Sequence, residues 1–242
     1  ITRLPTRESI SREEKERLEP GLHWSYRSSN SDDTDHRVER MIAKRKPVKE
    51  RPTPFLEPVP YNVEVDGTLL VPLSGFYRFR IDGNGAAKLM INDELIFDTS
   101  NRQSDDGDVL LSKGHNRLHL EYVSPKAGTA ELELLWKGFD FDWEPVPPTV
   151  FFHDSGSAEL QSASKVRAGR ELFATHHCSA CHQTGVEHPA MFELSFAAPD
   201  LKQAATRFRH GWLREWLSSP HSMVRDTAMP SLLGTDEHAA RD

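Results

Sequence analysis

The sequence predicts two domains of different class, an all-β sandwich over residues 19–153 followed by an all-α domain over residues 164–242. Between Tyr77 and Trp136 apolar residues recur at every second position within short runs, the period of strands that bury one face. Beyond Ser164 they recur at every third or fourth position, the period of helices that bury a stripe. Residues 154–163 are small and polar and predict a linker between the two.

Taken in order, residues 1–18 are charged and poor in apolar groups, a linker or lead-in. Within them Ser11-Arg12-Glu13-Glu14 fits a capping box, so a short helix is expected to run to about Leu18 before Pro20 stops it. Three segments carry the clearest strand alternation. Tyr77, Phe79 and Ile81 alternate with Arg78 and Arg80; Leu118, Leu120 and Tyr122 with His119 and Glu121; Leu132, Leu134 and Trp136 with Glu133 and Leu135. Turn residues punctuate them at 72–75, Asp82-Gly83-Asn84-Gly85, Asn92-Asp93, Lys113-Gly114 and 126–128. Short strands at this spacing predict an antiparallel sandwich or barrel. Residues 32–60 are less regular, and their basic cluster (Lys44, Arg45, Lys46, Lys49, Arg51) reads as a solvated loop face. In the second domain, residues 164–175 predict a helix capped by Ser164, with Val166, Gly169 and Phe173 along one face. A glycine inside a helix costs stability, and a close helix crossing at Gly169 would explain it. Residues 211–217 predict an amphipathic helix ended by Pro220, with Trp212 and Trp216 sharing a face.

Composition narrows the function classes. Hydrophobic residues make up 37% and charged residues 28% of the 242, and the net charge is −7. The acidic excess lies before residue 161, and the remainder is balanced, which excludes nucleic acid as the expected partner. No apolar run is long enough to span a bilayer. The chain opens at Ile1 with no initiator Met and no signal peptide, and so reads as a mature form or an excised piece.

The two cysteines of the chain both fall in Cys178-Ser179-Ala180-Cys181-His182. This C-x-x-C-H string is the pattern of c-type haem attachment: two thiols tether the vinyl groups, and the adjacent imidazole takes an axial position on the iron. A thioredoxin-like dithiol would need a strand before the motif, where a helix is expected instead. A structural zinc site would need a second pair of ligands; His188 follows, but no matching pair does. Haem is therefore the first reading, with zinc and dithiol chemistry behind it. With both thiols committed, no disulfide remains to staple the fold. Candidates for the sixth ligand are Met191, Met223, Met229, His188, His210, His221 and His238.

Gly169-Arg170-Glu171-Leu172-Phe173 followed by Cys178–His182 resembles the first helix and haem loop of class I cytochromes c. The resemblance implies one covalent haem c, with His182 and Met229 as the iron ligands. Met229 is singled out because it precedes Pro230 on a loop after the last long helix. Ala198-Pro199-Asp200-Leu201 resembles the family's Gly-Pro-x-Leu loop, with Ala198 in place of Gly. This implies that the Pro199 carbonyl accepts the proximal imidazole's proton and raises its basicity. Trp216 is implied as a wall of the haem pocket, and an indole N–H or Arg207, Arg209 or Arg214 as a propionate partner. The family's closing helix would start near Thr235; only residues 236–242 follow, so the resemblance implies a truncated helix and a fragment of a large multidomain extracytoplasmic bacterial protein.

Pro20-Gly21-Leu22-His23-Trp24-Ser25-Tyr26, Gly75–Phe79, residues 88–96, residues 111–122 and Leu132–Trp136 together resemble a PA14 domain. That implies a β-sandwich of a kind that often binds carbohydrate. In its lectin members paired aspartates hold Ca²⁺, a hard cation suited to carboxylate oxygens. The matching loop here, Asp82-Gly83-Asn84-Gly85, has one acid and no pair, so Ca²⁺ is only a second and weaker candidate cofactor. Asp105-Asp106-Gly107 reads as a solvated turn. Together these expectations describe an exported electron-transfer protein with a redox partner protein, its sandwich serving for docking or carbohydrate binding and with no enzymatic residue assigned. Alternatives are a haem enzyme or small-ligand binder with an open distal site, and a glycan-binding protein with accessory haem.

Overall fold

The computed structural model describes residues 10–101, 106–175, 207–227 and 229. Its first helix, α1 (Arg12–Glu16), opens with the predicted capping box: the Ser11 hydroxyl accepts from Glu14 N at 3.2 Å, and the Glu14 carboxylate accepts from Ser11 N at 2.7 Å. These bonds, with Arg117 alongside, pull the Glu14 carboxyl down to about 2. The helix ends at Glu16, and Leu18–Pro20 forms an edge strand, β1.

Twelve further strands follow: β2 (Leu22–Ser28), β3 (Thr34–Glu39), β4 (Ala43–Pro47), β5 (Tyr61–Val71), β6 (Gly75–Gly83), β7 (Ala86–Ile91), β8 (Glu94–Asp98), β9 (Asp106–Leu111), β10 (Gly114–Val123), β11 (Thr129–Lys137), β12 (Glu144–Pro145) and β13 (Phe151–Asp154). The larger sheet runs β1-β13-β5-β10-β7-β8, with the β2–β3 ribbon also paired to β5. The smaller runs β12-β11-β6-β9, with β4 beside β12 on the same edge of β11. Period-two alternation sends Trp24, Val65, Leu89 and Leu120 from the first sheet, and Phe79, Leu132 and Trp136 from the second, into one hydrophobic cluster. The rings of Tyr77 and Trp136 stack there at 5.7 Å, an offset aromatic pair of the kind that cores favour. Asn92 and Asp93 carry the β7–β8 turn with φ of 52° and 64°, as a tight hairpin requires.

Residues 32–60 depart from expectation. They contain β3 and β4, and the basic cluster is not all on a solvated loop. Lys44, opposite Leu132 of β11, is half-buried; its Nζ donates to Tyr26 Oη at 2.8 Å and Glu39 Oε1 at 3.1 Å. Burial pulls the Lys44 pKa down and Glu39 opposes that; burial and then Glu39 push the Tyr26 phenol up. Arg45, pointing the other way, does meet solvent and pairs with Glu131 at 3.1 Å. Strand alternation alone separates the two neighbours.

The next helix, α2 (Ala158–Thr175), begins six residues before Ser164 and takes in most of the expected linker. Ser157, not Ser164, accepts from a first-turn amide, that of Leu160 at 3.3 Å. Ala158, Glu159, Leu160, Gln161 and Ala163 in this stretch are good helix formers. Leu160 is buried, Arg167 pairs with Asp35 and donates to His36 O at 2.7 Å, and the guanidinium groups of Arg167 and Arg170 lie 5.3 and 5.5 Å from the Phe55 ring centre. Among the described residues no atom comes within 4 Å of where a Cβ on Gly169 would sit, so the expected close crossing is absent from them. The chain divides into two compact units: described residues up to Leu172 belong to the first, those from Phe173 onward to the second. The second contains α3 (His210–Ser218) and α4 (Pro220–Met223). No described helix is long and apolar enough to cross a membrane.

Candidate cofactor site

Helix α3 starts from an extended Arg209 (φ −70°, ψ 140°) and ends at Ser219, where Pro220 opens α4. Residues four apart share a helix face, which brings Trp212 and Trp216 together, and Phe208, just before the helix, extends them into a ladder. Phe208 stacks on Trp212 at 4.6 Å and 14°, and Trp212 on Trp216 at 5.4 Å and 9°. Phe208 and Trp212 are exposed; Trp216 is half-buried. Sequence reasoning placed the two tryptophans together but missed Phe208, although the i, i+4, i+8 spacing was there to read.

After α4 the chain turns twice. Thr227 N donates to Val224 O at 3.3 Å, and Met229 N donates to Thr227 Oγ1 at 3.2 Å. The second bond fixes the backbone that carries the half-buried Met229 thioether. Of the rival ligands, Met223 ends α4 half-buried, His221 is exposed on α4, and His210 opens α3. Arg207, Arg209 and Arg214 are exposed. Cys178, Cys181, His182, Pro199, Met191, His188 and His238 lie outside the described residues, as does the closing helix expected from Thr235.

The described side chains fit a haem. A ladder of flat rings matches the broad apolar face of a porphyrin, exposed guanidinium groups suit carboxylates, and a thioether is a donor that haem iron accepts.

In the first unit, the loop expected to resemble a calcium site is braced to β11. The Asn84 side chain donates to Thr129 O at 2.8 Å and accepts from Glu131 N at 3.1 Å. Gly83 (φ +147°) lies so close that a Cβ would stand 2.2 Å from Glu131 O. Asn84 thus spends its oxygen and nitrogen on structure. Asp106, in the second acidic turn, lies on β9 and pairs with Arg78 at 3.0 Å, so it is not the free solvated acid expected. Among the described residues, no three His, Cys, Asp or Glu side chains are gathered as a metal site.

A family model described as PA14 domain matches residues 52–134, and one described as Cytochrome c matches residues 166–232. An anti-sigma factor domain-containing protein from Clostridium clariflavum has a similar fold (TM-score 0.50, 21% identity) over 57% of this chain and 49% of its own. This chain therefore spans about half the length of that structure. The PA14 domain of the MpAFP antifreeze protein (TM-score 0.46, 10% identity) is matched over 58% of this chain and 95% of its own. A PA14 sugar-binding domain from an RTX adhesin (TM-score 0.45, 14% identity) is matched over 55% and 98%. No curated protein matches the chain. The sheet-rich first unit and the helical second unit correspond in order to these two family matches: the chain joins a PA14 domain to a cytochrome c domain.

Proposed function

We propose that the chain is an extracytoplasmic electron-transfer protein with one haem c held at Cys178 and Cys181 and ligated axially by His182 and Met229. The observation that carries this reading is the C-x-x-C-H string inside the cytochrome c match, which also takes in Met229-Pro230. A cytochrome c domain implies covalently bound haem, and the bound group supplies one-electron exchange between Fe(III) and Fe(II). The protein's part is to hold and tune it. The Pro199 carbonyl would orient the His182 ring by accepting its Nδ1 proton. The neutral Met229 thioether favours the reduced state more than a second imidazole would, and so raises the potential. Trp216, at the buried end of its ladder, would exclude water from one edge of the pocket. Held by His182 and Met229, the haem iron would keep no position for a substrate. The domain limits that go with this reading are 19–153 and 164–242.

The test is spectroscopic. Ferric wild-type protein should be low-spin and show the weak long-wavelength band of Fe–S(Met) ligation. Met229→Ala should lose that band while the haem stays covalently attached. High-spin ferric haem in the wild type would overturn the assignment.

The PA14 match supports a docking role for the first unit, on carbohydrate or on a redox partner protein. Glycan-array binding by the full chain, with and without a chelator, decides between them. Binding that survives chelation is expected for a carbohydrate site without Ca²⁺, given the Asn84 brace. No binding to any sugar leaves the protein partner.

A further inference from the structure

The outer face of the larger sheet carries a convergence of donors that the electron-transfer reading does not use. His23 and Ser25 are on β2, and His36 faces them from β3, with Ser25 directly opposite His36 in the register. His23 Nε2 lies 3.1 Å from His36 Nδ1; Ser25 Oγ lies 3.3 Å from the first nitrogen and 3.1 Å from the second. All three side chains are half-buried.

Hydrogen bonding satisfies a triangle this regular only with a shared proton. Two neutral imidazole nitrogens facing each other share at most one proton, and the hydroxyl adds one more. Two protons therefore serve three short contacts, so one of the bonds is three-centred and bent. A ring nitrogen also has one in-plane direction for its lone pair or proton, yet each of these has two neighbours at the same range. A common centre resolves both conflicts. With metal–nitrogen bonds of about 2.05 Å, ligand–ligand edges are about 3.3 Å in a tetrahedron and about 2.9 Å in an octahedron. The observed edges of 3.1, 3.1 and 3.3 Å lie in that interval.

We propose that His23, His36 and Ser25 form a binding site for a borderline divalent transition ion of the Zn(II)/Cu(II) class, separate from the haem site and from the Asn84 loop. Two imidazoles select this class over Ca²⁺, which prefers an all-oxygen shell. Asp66 stands opposite His23 on the neighbouring strand β5. Glu159 and His36 line one groove of about 500 Å³, and His23 and Asp66 line a second of about 510 Å³. An ion can thus enter from solvent, with water completing its shell.

The haem-loaded full chain should be titrated with Zn(II) by calorimetry and with Cu(II) by electron paramagnetic resonance. One site is expected that weakens at least tenfold in His23→Gln and in His36→Gln alike. Nitrogen hyperfine coupling from two imidazoles should fall to one in each variant. Equimolar Ca(II) should not compete, and His176→Gln/His177→Gln should retain the site. An isotherm unchanged in either single His23 or His36 variant overturns the proposal. A measurement on wild type alone guards against variants that misfold: Zn(II) should slow amide exchange in β2 and β3, and exchange unchanged there overturns the proposal equally.

Discussion

Lys44 and Glu39 meet between the two sheets with side chains 18% and 16% exposed, and the Tyr26 hydroxyl donates to the same carboxylate oxygen at 2.6 Å. A half-buried pair of this kind is costly to break on one side only. Glu39→Ala should destabilise by about 3 kcal/mol because it strands the ammonium, whereas Lys44→Met should cost about 1 kcal/mol because Arg37, 3.4 Å from the same carboxylate oxygen, still pairs with Glu39. Urea unfolding followed by tryptophan fluorescence would show the order, and equal losses would refute it. A second residue gives a pH signature. His119 Nδ1 lies 2.7 Å from Asp66 Oδ1, and that hydrogen bond raises the imidazole pKa above its ordinary 6.5 against the opposing effect of burial. The folded protein thus holds the proton more tightly than the unfolded chain. The resulting stability is complete below about pH 6.5 and is lost as pH rises through the raised folded value. Asp66→Asn should flatten the fall in urea midpoint between about pH 6 and about pH 9; parallel profiles for the two proteins would contradict this.

At the scale of elements, Arg167 anchors α2 to the sandwich. Arg167 pairs with Asp35, which is 5% exposed, so Arg167→Ala leaves a buried carboxylate without its cation. The expected cost is about 3 kcal/mol, with amide protection lost in Ala158–Leu172 before the sheets. Uniform loss across the sandwich would place the damage elsewhere. The same helix shows where sequence reasoning stops. Its start was hidden because Ala158–Ala163 suits both linker and helix, and the choice of Ser157 as cap is made by docking that has no local signature. β4 was hidden for a related reason: Ala-Lys-Arg-Lys-Pro shows no apolar alternation, and only pairing with β11 makes it a strand. By contrast β6, β10 and β11 were legible because apolar residues recur at every second position along one face of each. The C-x-x-C-H string, which falls within the cytochrome c match, is read from local spacing alone. The His23–Ser25–His36 triangle was not legible, since strand register brings its members together from two separate segments.

For the whole molecule, the continuous hydrophobic cluster lies within the first unit. Cys178→Ser/Cys181→Ser should therefore abolish haem attachment and leave the unfolding midpoint of Trp24 and Trp136 fluorescence within about 0.5 kcal/mol of wild type. A collapse of that transition would show that the sandwich depends on the haem. One feature of the larger sheet reaches further. Leu18 of β1 lies opposite Asp154 of β13, Arg17 pairs with Asp154 at 3.0 Å, and Ser155 N donates to Arg17 O at 3.1 Å. Entry to and exit from the sandwich are thus neighbouring strands, about 5 Å apart. A module closed in this way can be spliced into a surface turn of a host without stretching it. Equally, its own ends can be joined and new ones opened at the Lys126–Gly128 turn, making the sandwich a cassette that evolution or an engineer can shuffle independently of the electron carrier it precedes.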